Sequence, residues 1–590
     1  MKAHIDEIIH KFETFKKNFT EDELAEELIK LIPNLNPTQS DFELEAEIFA
    51  FRVRPITGKQ LSRYGSEHYY TPFSEYENSQ FPSIIDLNEK WISYWIKRSE
   101  DVTHPIFKYR YSDIAWDMMP RLKMKDNRVT KTTIRAAIDI AKSDLDVYLH
   151  TTYARFERSI QLAILTKEDD LLQELCSTII EFYKSKDTEK TYYVWKNPYD
   201  LLLESSCKSK ISIDSIIEII NNLENNLAKY RNLFQEYSSE PEGVKFAATR
   251  LAEFYNKAAT SSDVTRVLKV YADAYIEKIK NHDIKGIITT AWMQEIHKTL
   301  QQYNLNDLAA EAIKMYSECA KKMSMELHPL TSSIHIPNGE IECIIKNFIE
   351  APGDVFTNLA IQGLPNFEQD RKDIKGLVAQ FPLQNLVTKK LIARDGREQG
   401  SIGSAENDEG GALKSYWSIT QPVKYFLYRQ IIEACISRNL INKENFSEYI
   451  HSNHLFSENK KLLTERAIKS YLENDWISAL HLFLPQLESA IRLLIKFSDG
   501  YIIKKSRSGA FHLRILDDLL RDPILLNIFK SEDEIFYMRY ILTDQLGLNV
   551  RNRLFHGDIL PNEINPYLTD CVFHIGLLLA SLHAKEKTIV

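Results

Sequence analysis

Apolar residues recur every three or four positions through most of the chain, and this spacing predicts amphipathic helices. The pattern is clear from about 130 to 350, where short polar loops separate successive periodic segments. The helices predicted there cover 132–146, 153–165, 168–184, 213–236, 243–258, 262–280 and 305–323. Such a succession is typical of an α-solenoid-like array, which either presents a long surface to a partner or serves packing alone.

The glycine-rich stretch 395–411 interrupts this pattern and contains five of the 18 glycines in the chain. It follows no strand and lacks the Gly-Lys-Ser/Thr ending of a phosphate-binding loop. We therefore predict a flexible linker, with a lid over a site as the alternative. Helical periodicity resumes beyond it, and the segments after 457 predict a compact bundle. The late helices are predicted at 421–437, 457–473, 475–498, 511–521, 531–547 and 562–585.

The fold class predicted from these patterns is all-α. Glycine and proline are scarce, at 18 and 19 copies in 590 residues, and both residues disfavour helix interiors. A chain of this length exceeds a single hydrophobic core. We predict an N-terminal helical and aromatic-rich region at 1–125, the α-solenoid-like array at 126–385, a flexible glycine-rich linker at 386–420 and a helical bundle at 421–590.

Charge and composition narrow the function classes. The net charge of −9 means that any nucleic-acid surface must be a local basic patch on an acidic protein. The six cysteines form no Cys-x-x-Cys pair, which favours a reducing cytoplasm over a disulfide framework. The apolar run 575–582 is shorter than the roughly 20 residues of a membrane span, so no membrane association is expected. No metal-ligand spacing is found, and we predict neither a metal nor a cofactor.

An upstream helix combines charged and aromatic residues. Arg110, Asp113 and Asp117 recur at helical spacing among tyrosines and a tryptophan. We favour a core helix whose arginine is paired internally, because ion pairs at such spacing are common. A polar site between helices is the alternative.

The strongest chemical signal is the C-terminal string Arg551-Asn552-x-x-x-His556-Gly557. On a helix, Asn552 and His556 share a face, and Gly557 ends that helix. Histidine can exchange a proton with a ribose 2′-OH near neutral pH, and arginine can neutralise the charge of the phosphorane. This combination predicts metal-free RNA cleavage. The alternative is a helix cap, since the helix dipole favours histidine in a last turn without any catalysis, and the bare spacing arises by chance.

This string resembles the arginine–histidine signature of the HEPN superfamily (higher eukaryotes and prokaryotes nucleotide-binding). The helix containing Glu488 is similar to an earlier helix of the same bundle, so the resemblance covers roughly 457–585. The region from about 40 to 380 is similar, less specifically, to uncharacterised bacterial proteins that end in such a domain. That group is related to the endoplasmic-reticulum membrane-associated RNA degradation protein.

The resemblance implies a bundle that forms a homodimer and cuts RNA to a 2′,3′-cyclic phosphate and a 5′-OH, as a toxin or abortive-infection effector in phage defence. His556 would be the acid and base, Arg551 the phosphate ligand and Asn552 a polar helper. The remaining expected site residues are Glu488 and Arg492 in support and Lys504, Lys505, Arg507 and Arg553 on RNA.

Plainer explanations exist for the supporting residues. Glu488 and Arg492 are four apart and can form an ordinary helix ion pair, and a basic turn is commonly only solvated surface. The alternative function is a non-catalytic helical scaffold that binds RNA, a nucleotide or a protein. In either case, the helical array is where we expect a regulatory protein partner.

Overall fold

The structure is a computed structural model of the 590-residue chain. It describes residues 2–14, 18–32, 41–55, 69–76, 79–83, 87–188, 194–204, 210–236, 242–328, 333–506, 509–529 and 531–582. Helices dominate these residues, and the strands form only two-stranded antiparallel pairs. The prediction of an all-α protein is therefore confirmed.

The chain divides into two compact units, Met1–Tyr316 and Ser317–Val590. The first contains the predicted N-terminal region and most of the predicted array. The second contains the end of that array as well as the bundle, because Phe356, Leu359 and Phe367 belong to the same apolar core as the bundle helices. The array boundary expected at 385 thus differs from the division at 316.

The first unit is built from consecutive helices that pack mainly on their sequence neighbours. Short strand pairs, Arg54–Pro55 with Tyr70–Thr71 and Ser74–Tyr76 with Ser79–Phe81, lie between its third and fourth helices. Its α-helices of nine or more residues are Lys2–Glu13, Glu21–Ile29, Phe42–Arg52, Glu89–Asp101, Pro105–Met118, Arg128–Lys142, Leu149–Thr166, Asp169–Ser185, Ile213–Glu236, Glu242–Lys257, Ser261–Asn281 and Gly286–Gln302. The helix Asn306–Glu326 contains the boundary between the units.

The upstream charged helix is a core element of the first unit. Arg110 is buried, donates to the carbonyls of Ala50 and Val53, and lies 3.4 Å from the carboxylate of Glu21. The arginine is therefore paired within the core, but with a carboxylate from another helix.

The acids of that helix are satisfied by an arginine that follows them in the chain. The Nε of Arg158 lies 2.9 Å from Asp113, and its Nη2 lies 3.3 Å from Asp117. Tyr70 also donates its hydroxyl to Asp113 over 2.7 Å. These contacts between buried groups explain how the core accommodates two carboxylates, since buried charges need partners.

The second unit is a bundle with two small hairpins. Its α-helices are Asn338–Glu350, Val355–Gly363, Phe367–Gln380, Pro382–Leu386, Glu409–Ser437, Lys443–His451, Lys461–Leu472, Trp476–Phe497, Leu516–Leu520, Glu532–Leu542, Val550–Phe555 and Pro566–Ala580. The hairpins are Lys389–Ile392 with Glu398–Ile402, here called the glycine hairpin, and Ile503–Lys505 with Phe511–Leu513, called the basic hairpin.

The glycine-rich segment differs from the flexible linker expected at 386–420. It contains the glycine hairpin and the first three turns of the helix Glu409–Ser437. The carboxylate of Asp408 caps that helix, accepting from the N–H of Gly411 at 2.9 Å and from that of Gly403 at 3.0 Å. Side-chain capping of this kind makes the glycines part of a helix start.

Several late helices are shorter than the periodicity predicted, whereas the helix predicted at 421–437 is longer and spans Glu409–Ser437. The segment 511–521 is divided into the strand Phe511–Leu513 and the helix Leu516–Leu520. The helix predicted at 531–547 ends at Leu542, where Thr543 leaves the helical conformation with a φ of −133°, and Gly547 and Asn549 lie in the loop that follows. The last helix is Pro566–Ala580, and 583–590 lie outside the described residues.

The last helix is the centre of the second unit. Nearly all of its residues are buried, and Gly576 lets the ring of Phe483 approach its backbone. At Gly363, an added Cβ would stand 2.2 Å from the imidazole of His574, so the helix Val355–Gly363 packs directly against it. This close contact explains why that earlier helix belongs to the bundle.

Candidate active site

The Arg551–His556 motif lies on a short helix, Val550–Phe555, here called the motif helix. Val550 and Leu554 are buried and fix it to the bundle. The helix ends as predicted, because Gly557 adopts a φ of 71° and donates its N–H to the carbonyl of Leu554 at 3.2 Å. His556 is the C-cap residue of this helix.

Arg551 is held by a carboxylate from the helix Trp476–Phe497. Its Nε lies 3.1 Å from Oε2 of Glu488, while Oε1 of Glu488 accepts from Arg492. The Glu488 side chain is only 12% exposed, and both arginines are 21% exposed. Glu488 and Arg492 therefore form the expected helix ion pair. Together with Arg551 they form a cluster, here called the arginine cluster, that carries one excess positive charge.

Asn552 completes the support of Arg551. Its Oδ1 accepts from Nη1 of Arg551 at 3.2 Å, and its Nδ2 donates to Oδ1 of Asn549 at 2.8 Å and to the carbonyl of Thr543 at 3.3 Å. The Asn552 amide thus orients the guanidinium of Arg551 and connects the motif helix to the preceding loop by hydrogen bonds. In the part of the chain that the structure describes, no acceptor contacts Nη2 of Arg551.

His556 is exposed at the end of the same helix. Its backbone N–H donates to the carbonyl of Asn552 at 2.9 Å, which fixes its position in the last turn. Among the described residues, its imidazole has no hydrogen-bond or ion-pair partner. The side chain is therefore accessible for proton exchange with a bound molecule.

The expected RNA-binding lysines lie on the basic hairpin, whose strands are fully exposed. Lys504 lies opposite His512 and pairs with Asp518 at 2.5 Å, whereas Lys505 lies opposite Phe511. The hairpin adjoins the arginine cluster, because Nη2 of Arg492 contacts the carbonyl of Arg514 at 3.3 Å. Of the other two candidates, Arg553 lies on the motif helix and Arg507 lies outside the described residues.

Arg553 is held by a residue that sequence reasoning did not single out. Its Nη2 lies 2.6 Å from Oε1 of Glu563, and Oε2 of Glu563 accepts from the N–H of Leu560 at 2.8 Å. Burial acts to raise the pKa of Glu563, but this N–H, Arg553 and the nearby Arg394 overcome that effect and the pKa is lowered. Pro561, the first residue of the short 3₁₀ turn Pro561–Glu563, was a local signal for this arrangement.

The arrangement places two chemical capacities on one short helix, with Arg551 in its first turn and His556 at its C-terminal end. The guanidinium of Arg551 is oriented by Glu488 and Asn552 and keeps one donor group for an anion. The exposed imidazole of His556 can accept or give a proton. Across the described segments, no group of three His, Cys, Asp or Glu side chains is placed to hold a metal ion.

The fold and the site together define an all-helical protein with an arginine near the start and a histidine at the end of one short bundle helix. Comparisons with family models, curated proteins and solved structures found no match. Of the helices that the structure describes, none has the length and apolar character needed to cross a membrane.

Proposed function

We propose that the second unit is a metal-independent endoribonuclease of the HEPN type. The observation that supports this most directly is the geometry of the motif helix. One end presents an oriented guanidinium with a donor group to spare, and the other end presents an exposed imidazole. A scissile phosphate and its ribose need both groups within reach of one phosphodiester, and the two groups here come from residues five apart in the chain.

In the proposed reaction, His556 removes the proton of the ribose 2′-OH. The 2′-oxygen attacks the adjacent phosphorus, and the bond from phosphorus to the 5′-oxygen breaks. Arg551 neutralises the charge on the phosphorane, and the departing 5′-oxygen takes a proton from an imidazolium or from water. The products are a 2′,3′-cyclic phosphate and a 5′-OH, with no oxidant, metal or cofactor in the balance.

The proposal includes a homodimer through the C-terminal bundle, in which two copies of the motif helix face one RNA strand. It also includes RNA as the substrate, a regulatory protein partner on the helical array and a role as a toxin or abortive-infection effector in the cytoplasm. The apolar face of the basic hairpin, with Phe511 70% and Leu513 53% exposed, supports association with a further surface.

The test is cleavage of single-stranded RNA by purified protein in EDTA, with the ends of the products identified by mass spectrometry. We expect His556→Ala and Arg551→Ala to lower the rate by about 100-fold or more, as for loss of a general acid–base group. His454→Ala is the matched control, because His454 is another exposed histidine of the second unit and lies outside the proposed site.

Equal RNA cleavage by the wild type and His556→Ala would contradict the proposal. If the wild type binds RNA without cutting it, the alternative of a non-catalytic helical scaffold is favoured. Induced expression in bacteria tests the toxin role, since growth arrest should require His556 and Arg551.

Sedimentation of the full chain tests the homodimer, because the measured mass should be twice that of one chain.

A further inference from the structure

The second unit contains a cavity of about 500 Å³ along the helix Glu532–Leu542. Its walls come from several separate segments of the unit, and Leu520, Leu526 and Phe536 make part of them apolar. The volume lies in the range of about 300–1,000 Å³ that is typical of ligand sites. The cavity therefore has the size and the apolar surface to hold part of a bound molecule.

The lining of this cavity includes an arginine without a partner, Arg539. Its Nε is buried and, among the described residues, accepts no hydrogen-bond partner's contact. Asp517 accepts instead from Arg521 at 2.7 Å and from the hydroxyl of Thr543 at 2.8 Å. A buried polar group without a hydrogen bond costs free energy, so few such groups remain in native proteins without a ligand or water.

The other charged groups around the cavity are largely paired with one another. Arg371 lies 2.7 Å from Glu409 and 2.8 Å from Asp533. Asp522 forms an ion pair with Arg514. These carboxylates are therefore compensated by their own arginines and do not serve Arg539.

Glu532 also lines the cavity, and it lies seven residues before Arg539 on the same helix. Seven residues correspond to roughly 10 Å along a helix axis, a separation at which salt screens most of the attraction between exposed charges. Glu532 is in the first turn, where the helix dipole favours a carboxylate without any other partner. Arg539 is thus left with one positive charge for a ligand.

Hydrogen bonds join the cavity to the motif helix. Arg521 lines the cavity and binds Asp517, and Asp517 accepts from Thr543. The carbonyl of Thr543 accepts from Nδ2 of Asn552 at 3.3 Å, and its N–H donates to the carbonyl of Arg539 at 2.9 Å. Arg539 is therefore one helical turn from a residue that contacts the motif helix directly.

We propose that this cavity is a nucleotide subsite for the RNA strand, in which Arg539 binds a phosphodiester close to the one that His556 cleaves. The apolar wall would contact the attached ribose and base. A guanidinium binds phosphate oxygens through paired donors, and a phosphodiester carries the single negative charge that one unpaired arginine can compensate. This inference rests on the proposed function.

The experiment measures binding of a fluorescent single-stranded RNA to the His556→Ala protein over a range of salt concentrations, so that the RNA stays intact. We expect Arg539→Gln in this background to weaken binding about 5-fold and to lower the slope of log affinity against log salt by about 0.7, the value for one phosphate contact on a single strand. In the wild-type background, Arg539→Gln should raise KM and leave kcat within about twofold.

A stability measurement separates this role from a structural one. Because the Nε of Arg539 has no partner among the described residues, the urea midpoint of Arg539→Gln should not fall below that of the parent protein. A clearly lower midpoint would show that the folded protein already satisfies this guanidinium, and it would overturn the inference.

Arg466→Gln is the matched control, because Arg466 is an exposed arginine of the same unit, on the helix Lys461–Leu472, and does not line the cavity. We expect its salt slope to equal that of the parent protein. An unchanged slope for Arg539→Gln, as for a cavity that binds a carboxylate or only water, would overturn the inference even if the wild type cleaves RNA. RNA binding without cleavage would instead refute the proposed function, and the Arg539 slope would still decide the subsite. Absence of RNA binding at low salt would overturn both.

Discussion

The pH dependence of the bundle follows from a buried histidine, His574. Its imidazole is fully buried, with Nε2 2.8 Å from the carbonyl of Ala360 and Nδ1 2.8 Å from the hydroxyl of Tyr537. A neutral imidazole satisfies both contacts by donating from Nε2 and accepting at Nδ1. Burial lowers the pKa of His574 from 6.5 to about 3, the bond to Ala360 opposes this, and Lys424 lowers it further.

The magnitude follows from proton linkage. Between the two pKa values the unfolded chain binds a proton that the folded bundle does not, so stability from His574 is present at pH 7 and is lost as the pH falls. From pH 7 to pH 4 the loss is about 3 kcal/mol, at about 1.4 kcal/mol for each pKa unit. Replacing His574 with Gln should remove this acid lability.

A second buried group opposes this effect. Burial raises the pKa of Asp570 from 3.8 to about 6, although Arg429 and the Tyr471 hydroxyl act to lower it. The folded bundle therefore binds a proton before the unfolded chain does, and Asp570 adds about 2 kcal/mol of stability from pH 7 to pH 4. The pH-dependent contributions of His574 and Asp570 to stability have opposite signs and largely cancel in the wild type. The effect of His574 is therefore seen only when the pH dependence of the variant is compared with that of the wild type.

The assay is hydrogen exchange of peptides from the helix Pro566–Ala580 in increasing urea, at pH 7 and pH 4, corrected for the intrinsic exchange rate. We expect the free energy of unfolding of His574→Gln to be lower than that of the wild type at pH 7. Between pH 7 and pH 4, the difference between the two proteins should shift by about 3 kcal/mol in favour of the variant. Tyr537→Phe is the control, since Tyr537, whose pKa is raised by burial, does not titrate in this range. Equal pH dependence in the wild type and His574→Gln would refute the reasoning.

Three further predictions concern the bundle and the first unit. Glu488→Gln should lower kcat/KM for RNA about 10-fold by loosening Arg551, with a smaller effect on RNA affinity; equal kinetics would contradict the anchoring role. Gly363→Ala should destabilise the bundle by about 1–3 kcal/mol in urea unfolding, because the added methyl group meets His574, and an unchanged midpoint would contradict that close contact. Asp113→Ala should cost about 1–3 kcal/mol in the first unit, because Arg158 keeps only Asp117 as its carboxylate and the Tyr70 hydroxyl loses its acceptor; exchange of peptides from 105–118 measures this loss, and unchanged protection would contradict it.

Local sequence was sufficient for the fold class and for the end of the motif helix. The apolar period of the segment 213–236 matches the observed helix Ile213–Glu236, because that helix buries one continuous stripe. The end of the motif helix was equally local, since Gly557 accepts a positive φ without strain and His556 precedes it.

Tertiary structure decided which charged groups meet. Glu488 and Arg551 are 63 residues apart, and no periodicity in either helix specifies that one carboxylate binds that guanidinium. The glycine hairpin contacts the loop before the motif helix, since an added Cβ at Gly400 would stand 2.7 Å from Cδ2 of Leu546, and this contact depends on the packing of the whole unit. Helix periodicity is a short-range property of the backbone, whereas the partner of each charged side chain depends on how the helices are assembled.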